Sequence, residues 1–200
     1  MDWIAVALKE DVPPGIVIPS HINDTDLAIW CTPSGAYHAW SDRCPHRGMR
    51  LSHGFVRGDT LACIYHGWQY DEAGTCQYIP AHPNLTPPNT ICVPTYRCVE
   101  EGGVIWVALN DTDREPPDLE GRQPVRSLPI QMSAAAVAAH FGAGASTTVA
   151  VVSDHEALLA LQPCNDDLCV AHVLAAKGHD RKDVSRWLEQ MRTMLEETAQ

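Results

Sequence analysis

The chain has 200 residues, 45% of them hydrophobic, enough for one large or two small domains with a buried core. Fourteen Lys and Arg side chains stand against 25 Asp and Glu, giving a formal net charge of −11. This balance argues against nucleic-acid binding, which depends on neutralising phosphates, and against binding to an anionic membrane surface. Residues 1–9 lack the basic region of a signal peptide, and no apolar run reaches the length of a membrane span. The sequence therefore predicts a cytoplasmic protein.

Short apolar and β-branched segments, separated by turns rich in Gly, Pro and Asn, predict antiparallel strands through the first half of the chain. The predicted strands are residues 2–8, 15–18, 26–31, 36–40, 55–56, 61–63, 68–70, 76–78, 95–99 and 104–109. Residues 81–94 contain four prolines and predict a wrapping loop.

Two loops between these strands each contain one Cys and one His. Cys44 and His46 are spaced C-x-H, Cys63 and His66 are spaced C-x-x-H, and sixteen residues separate the pairs. Two thiolates and two imidazoles are the ligands of a Rieske [2Fe–2S] cluster, in which two Cys hold one iron and two His the other. Zinc also binds Cys₂His₂ sets, but its structural sites pair like ligands as C-x₂₋₄-C and H-x₃₋₅-H. The mixed loops favour the Rieske cluster over zinc.

The chain resembles the Rieske domain of the ring-hydroxylating (Rieske non-haem iron) oxygenase family over about residues 2–109. The resemblance rests on CPHRG at 44–48, CIYHGW at 63–68 with Ile64 where the family has Pro, Trp3, LSHG at 51–54, DEAG at 71–74 and Ile79-Pro80. It implies a Rieske-type antiparallel β-sandwich with a cluster-binding subdomain. It also implies that a Pro-containing segment, here residues 79–80, covers a [2Fe–2S] cluster held by Cys44, His46, Cys63 and His66.

The second half of the chain changes in pattern after a charged, Pro-rich segment. We predict a Rieske domain at residues 1–110, a linker at 111–129 and a small α+β region at 130–200. In that region, residues 134–140 suit a strand or a short helix, 146–152 a strand, and 157–161 and 168–174 strands or helices. Asp180 is placed to cap a terminal helix whose apolar stripe is Val184, Trp187, Leu188, Met191 and Leu195. This order of elements resembles a truncated oxygenase catalytic domain.

A complete oxygenase of this family also has a mononuclear Fe(II), held by two His and a carboxylate. Its usual H-x₄-H signature is missing from this sequence, so we do not expect mononuclear iron. The only grouping in the second half that suits such a site is Asp154, His155, Asp166, Asp167, His172 and His179. Solvated or packed side chains are the simpler interpretation of these residues.

The sequence therefore predicts a Rieske [2Fe–2S] protein that carries single electrons within an oxygenase-type system. Its partner would be a redox protein, a reductase or an oxygenase subunit, and a homo-oligomer is compatible with the sequence. One alternative is a complete oxygenase with an unrecognised Fe(II) site, for which His155, His172 and His179 are the first residues to test. Another is a non-catalytic redox sensor. No catalytic residue is assigned, and the six remaining cysteines are expected to be reduced thiols: Cys31, Cys76, Cys92, Cys98, Cys164 and Cys169.

Overall fold

The computed structural model describes residues 3–144 and 148–198 and is built mainly of antiparallel strands. The strands are β1 (Ile4–Leu8), β2 (Val17–Ile22), β3 (Thr25–Cys31), β4 (Tyr37–Ser41), β5 (Phe55–Arg57), β6 (Thr60–Ala62), β7 (Gln69–Tyr70), β8 (Cys76–Tyr78), β9 (Thr95–Glu101), β10 (Val104–Ala108), β11 (Gln123–Ile130), β12 (Val149–Val152), β13 (Ala157–Asn165) and β14 (Leu168–Ala175). The helices are α1 (Ala134–His140) and α2 (Arg181–Thr198). The predicted class, mainly β and Rieske-type with a terminal helix, is confirmed. None of the described helices is both long and apolar enough to cross a membrane.

The first compact unit comprises residues 10–21 and 25–99. Strands β3 and β4 pair from Leu27↔Ser41 to Cys31↔Tyr37, and β9 pairs with β4. Strands β5, β6, β7 and β8 form a small antiparallel sheet in that order. The two Cys/His loops leave β4 and connect β6 to β7. Rigid strands thus hold both loops, and the core of this unit includes both cysteines together with Trp30, Trp40 and Tyr70.

The second unit comprises residues 1–9, 22–24 and 100–200. In it β1 pairs with β10, and a four-stranded antiparallel sheet has the order β11-β14-β13-β12. Asp180 Oδ1 accepts a 2.7 Å hydrogen bond from the Lys182 amide, so it caps α2 as predicted. The helix buries Val184, Leu188, Met191 and Leu195 in the core of this unit, and Trp187 packs partly buried against it.

Several ambiguous or missed elements of the second half are resolved by the structure. Residues 134–140 are helical, and the segments at 157–161 and 168–174 lie in β13 and β14. Of the strand predicted at 146–152, Ser146 and Thr147 lie outside the described residues, and β12 covers Val149–Val152.

Strand β11 occupies Gln123–Ile130 and therefore begins inside the segment predicted as a linker, residues 111–129. Pro124 and Pro129 concealed this strand in the sequence. The structure accommodates them because β11 lies at the edge of its sheet, where one side of the strand needs no ladder donor. The buried side chains of Val125, Leu128 and Ile130 anchor β11 in the core.

Candidate metal centre

The two Cys/His loops share one backbone turn although their His residues are spaced differently. In each, the Cys carbonyl accepts a hydrogen bond from the Gly amide four residues later, Gly48 to Cys44 at 2.8 Å and Gly67 to Cys63 at 2.9 Å. Each Cys amide donates to the carbonyl five residues later, at 2.8 and 2.9 Å. The two glycines have φ values of +70° and +71°, a region that side chains disfavour. The loops therefore require Gly at these positions.

The four predicted ligands are brought together as like pairs. The Cys44 and Cys63 thiols lie close enough to influence each other electrostatically, and both residues are buried. The ring centroids of His46 and His66 lie 4.6 Å apart, and His66 is exposed. Two sulfurs on the inside and two imidazoles toward solvent suit a centre in which one iron takes both thiolates and the other both imidazoles. The residues present therefore fit a Rieske cluster.

Local electrostatics favours the neutral forms of the His46 imidazole and the Cys63 thiol. Burial, followed by the neighbouring His66 and Arg47, lowers the pKa of His46. A neutral imidazole is the form that binds metal. Burial is the largest effect on Cys63 and raises the pKa of its thiol, and the adjacent Cys44 raises it further. A bound cation would reverse this preference, because a coordinating thiol is deprotonated.

Tyr70 was not singled out from the sequence, yet it contacts a predicted ligand. Its hydroxyl oxygen lies 3.1 Å from Cys44 Sγ, and the residue is fully buried. Burial and the hydrogen bond to Cys44 raise the pKa of the phenol, so Tyr70 keeps its proton. A hydroxyl beside a ligand sulfur stabilises negative charge there, which tunes the potential of an iron–sulfur centre. Tyr70 follows Trp68 by two residues, and this alternating spacing of a strand predicts that both side chains face the core. That spacing is the sequence signal that could have identified Tyr70.

Aromatic rings and a proline lie against the two loops. Trp68 stacks on His46 with centroids 4.2 Å apart and an interplanar angle of 7°, and Tyr65 lies 3.9 Å from the ring of His66. A Cβ at Gly67 would lie 3.0 Å from Pro80 Cγ. The Ile79-Pro80 segment thus packs on the second loop, where the resemblance placed a covering segment.

A network of ion pairs and hydrogen bonds, which the sequence alone does not indicate, holds the first loop in place. The fully buried Asp42 carboxylate accepts two 2.7 Å hydrogen bonds from Ser52, one from its amide and one from its hydroxyl. Arg50 bridges Asp42 and Asp26 at 3.4 and 3.0 Å. Arg43, next to Cys44, pairs with the same Asp26 at 3.2 Å. These contacts tie both ends of the first loop to the strands beneath it.

The structure separates the grouping considered for a second metal. His155 and His179 have ring centroids 5.7 Å apart, and His155 lies 5.3 Å from the ring of Trp187. His172 lies elsewhere, between Ser127 Oγ at 2.8 Å and Gln162 Oε1 at 3.0 Å. Asp166 and Asp167 occupy the turn between β13 and β14. Within residues 3–144 and 148–198, no three His, Cys, Asp or Glu side chains group as a single-ion site.

Comparison with known proteins identifies the first half of the chain. The family described as "Rieske [2Fe-2S] domain" matches residues 2–97. Oxidoreductase NdmD of Pseudomonas putida is 41% identical over 115 residues, 57% of this chain and 20% of that protein. The 4beta-methylsterol monooxygenase of Methylococcus capsulatus is 36% identical over 150 residues, 70% of this chain and 39% of that protein. The chain therefore matches well under half the length of these relatives.

Solved structures extend the likeness in fold to nearly the whole chain. Pseudomonas putida CBB5 NdmA superposes with a TM-score of 0.82 at 18% identity, covering 99% of this chain and 80% of that one. Apo dicamba monooxygenase gives 0.75 at 19% identity, covering 98% and 85%. At such identities the likeness shows the fold alone. The family match shows that the chain contains a Rieske [2Fe–2S] domain at residues 2–97, and the sequence matches show that it is a homologue of Rieske oxygenase-family proteins.

Proposed function

We propose that the chain carries single electrons through a Rieske cluster held by Cys44 and Cys63 on one iron and by His46 and His66 on the other. The observation that carries the proposal is the pairing of buried thiols beneath two adjacent imidazoles. When bound, the cluster supplies one-electron chemistry at roughly −150 to +300 mV.

The side chains at this site have different roles. The buried Cys44 and Cys63 sulfurs hold negative charge away from water, and the Tyr70 hydroxyl stabilises the charge on Cys44. The exposed ring of His66 provides the edge through which an electron enters or leaves, because it brings the site closest to a docked protein. Trp68, stacked on His46, limits the freedom of the other imidazole. Little reorganisation is then needed when the charge changes.

We infer further that the chain works within a Rieske oxygenase-type system, between a reductase and an oxygenase component or as a separate subunit of an oxygenase. Its relatives include an oxidoreductase and a monooxygenase. The fold likeness to NdmA over 99% of the chain supports relating residues 130–200 to an oxygenase catalytic domain. Within this proposal, residues 1–110 are the redox domain, the partner is a redox protein, and the second unit offers a surface for that partner or for another copy of the chain.

Substitution of individual cysteines tests the ligand assignment. Cys63→Ser should abolish the visible absorption of the cluster, since a serine does not replace the thiolate. Cys76→Ser is the matched control, because Cys76 is a buried thiol in the same core that is not assigned as a ligand. It should retain the band. A Cys63→Ser protein with an intact Rieske spectrum, or a Cys76→Ser protein that loses it, would overturn the assignment.

A second candidate function is oxygenation by the chain alone, and the proximity of His155 and His179 is the observation that favours it. The experiment is iron analysis of anaerobically purified protein reconstituted with Fe(II). The electron-carrier proposal expects two irons per chain. A third iron that disappears in a His155→Ala, His179→Ala double variant would support the oxygenase instead.

A further inference from the structure

A continuous series of rings runs from a predicted cluster ligand to the surface of the first unit. The Tyr70 hydroxyl lies 3.1 Å from Cys44 Sγ, and the Tyr70 ring lies 6.5 Å from that of Trp40. Trp40 and Trp30 follow with centroids 5.0 Å apart, and Trp30 stacks on His38 at 4.5 Å. We call Tyr70, Trp40, Trp30 and His38 the aromatic chain. Each contact lies within the range of attractive aromatic pairs.

The aromatic chain is sealed from water except at its far end. Trp30 and Tyr70 are 0% exposed and Trp40 is 1% exposed. The His38 side chain is 18% exposed, and its Nε2 lies 3.8 Å from the carboxylate of the exposed Glu72. The strands fix this arrangement, since Trp30 on β3 lies opposite His38 on β4.

The indole groups of the aromatic chain are unusual in their hydrogen bonding. Buried Trp N–H groups normally have an acceptor. Among the described residues, however, the Nε1 atoms of Trp30 and Trp40 are both buried without a partner. An indole that loses an electron beside an acceptor also loses its proton, which traps the radical. Without an acceptor the positive charge stays on the ring and can pass to the next one.

We infer that the aromatic chain conducts oxidising equivalents away from the cluster site and thereby protects its ligands. The inference rests on the proposed function, since it needs Cys44 as a ligand. The oxidant is a peroxide-derived radical of the hydroxyl type formed at the site. It gains one electron from Trp40 through the ring of Tyr70 and becomes hydroxide. Trp40 regains an electron from Trp30, and Trp30 regains one through His38 from a soluble one-electron reductant of the ascorbate class.

Only electrons move along the aromatic chain, and each residue returns to its starting state. One oxidant is reduced for each reductant oxidised by one electron. The route does not compete with normal electron transfer. A Rieske cluster is far too weak an oxidant to take an electron from indole. The aromatic chain therefore acts only when a much stronger oxidant appears.

The test compares Trp30→Phe and Trp40→Phe with Trp106→Phe. Phe keeps an aromatic ring in place but is much harder to oxidise than indole. Trp106 is the matched control, because it is also fully buried but lies in the second unit, with its Nε1 bonded to the Glu101 carbonyl. Each reduced protein is exposed to substoichiometric hydrogen peroxide with or without ascorbate. Freeze-quench EPR detects tryptophan radicals, and visible absorption follows loss of the cluster.

The wild type and Trp106→Phe should form a transient tryptophan radical, and ascorbate should slow their bleaching. Trp30→Phe and Trp40→Phe should lose most of the radical signal, bleach several-fold faster and gain little from ascorbate. Equal bleaching in all four proteins would overturn the inference. Absence of a Rieske spectrum in the wild type before peroxide is added would instead refute the ligand assignment.

If the Phe variants fail to hold the cluster, fluorotryptophan labelling of the wild type replaces them. Fluorination makes the indole ring harder to oxidise with little change in its shape. The labelled protein should bleach several-fold faster than the unlabelled protein. An unchanged rate would overturn the inference.

Discussion

Removing the Tyr70 hydroxyl should lower the reduction potential of the cluster. The hydroxyl lies 3.1 Å from Cys44 Sγ in a fully buried setting, and Tyr70→Phe removes it without changing the packing of the ring. The sulfur carries more negative charge when the cluster is reduced, so the hydrogen bond stabilises the reduced form more than the oxidised form. Its loss therefore favours the oxidised form.

The size of this shift follows from the strength of the hydrogen bond. A bond to a charged group contributes about 1.5–3 kcal/mol. If roughly 1 kcal/mol of this distinguishes the two redox states, the potential falls by about 40 mV, since 59 mV corresponds to a tenfold change for one electron.

Protein-film voltammetry of Tyr70→Phe measures the shift directly, and Tyr78→Phe serves as the control because Tyr78 is a partly exposed tyrosine of the same unit. The control should keep the wild-type potential. An unchanged or raised potential in Tyr70→Phe would refute the reasoning.

Three further predictions concern stability, two of them in the first unit and one in the second. Asp42→Ala should destabilise the protein by about 2–4 kcal/mol in urea unfolding, because it leaves the Ser52 amide and hydroxyl buried without their acceptor. Asp59→Ala, which removes an exposed carboxylate, is the control and should have little effect. Equal stabilities of the two variants would contradict a stabilising role for Asp42. Gly67→Ala should cost about 1–2 kcal/mol and speed cluster loss, because φ is +71° and the new Cβ would approach Pro80; a cluster lifetime equal to that of wild type would count against it. Burial lowers the pKa of His172 to about 4, whereas in the unfolded chain it stays near the ordinary value of about 6.5. Between these two pH values, only the unfolded chain binds a proton on His172. The unfolding free energy should then fall by about 3 kcal/mol as the pH drops through that window; a His172→Gln variant with the same pH dependence would exclude His172 as the cause.

The sequence predicts the first half well because its signals are local. Loop spacing predicts the four ligands, and Gly48 and Gly67 mark turns that require a positive φ. Short β-branched runs between turn residues place the strands. The cap at Asp180 and a stripe with helical spacing likewise predict the terminal helix.

What the sequence misses depends on contacts between distant residues. Tyr70 meets Cys44 across 26 positions, and the Asp42 carboxylate meets Ser52 only after the first loop has folded back. Strand β11 is concealed because its prolines are compatible with a sheet only at an edge, and edge position is a property of the folded sheet. His172 is a candidate ligand in the sequence, but in the structure its ring nitrogens are hydrogen-bonded to Ser127 and Gln162. These contacts bury the side chain within the second unit.

The most direct test of the electron-carrier proposal is the iron and acid-labile sulfide content per chain of anaerobically purified protein, together with the EPR spectrum after reduction. The proposal predicts two irons, two sulfides and a single Rieske-type signal. Zinc, or iron without sulfide, would contradict the cluster itself. A third iron per chain would contradict a role limited to carrying electrons.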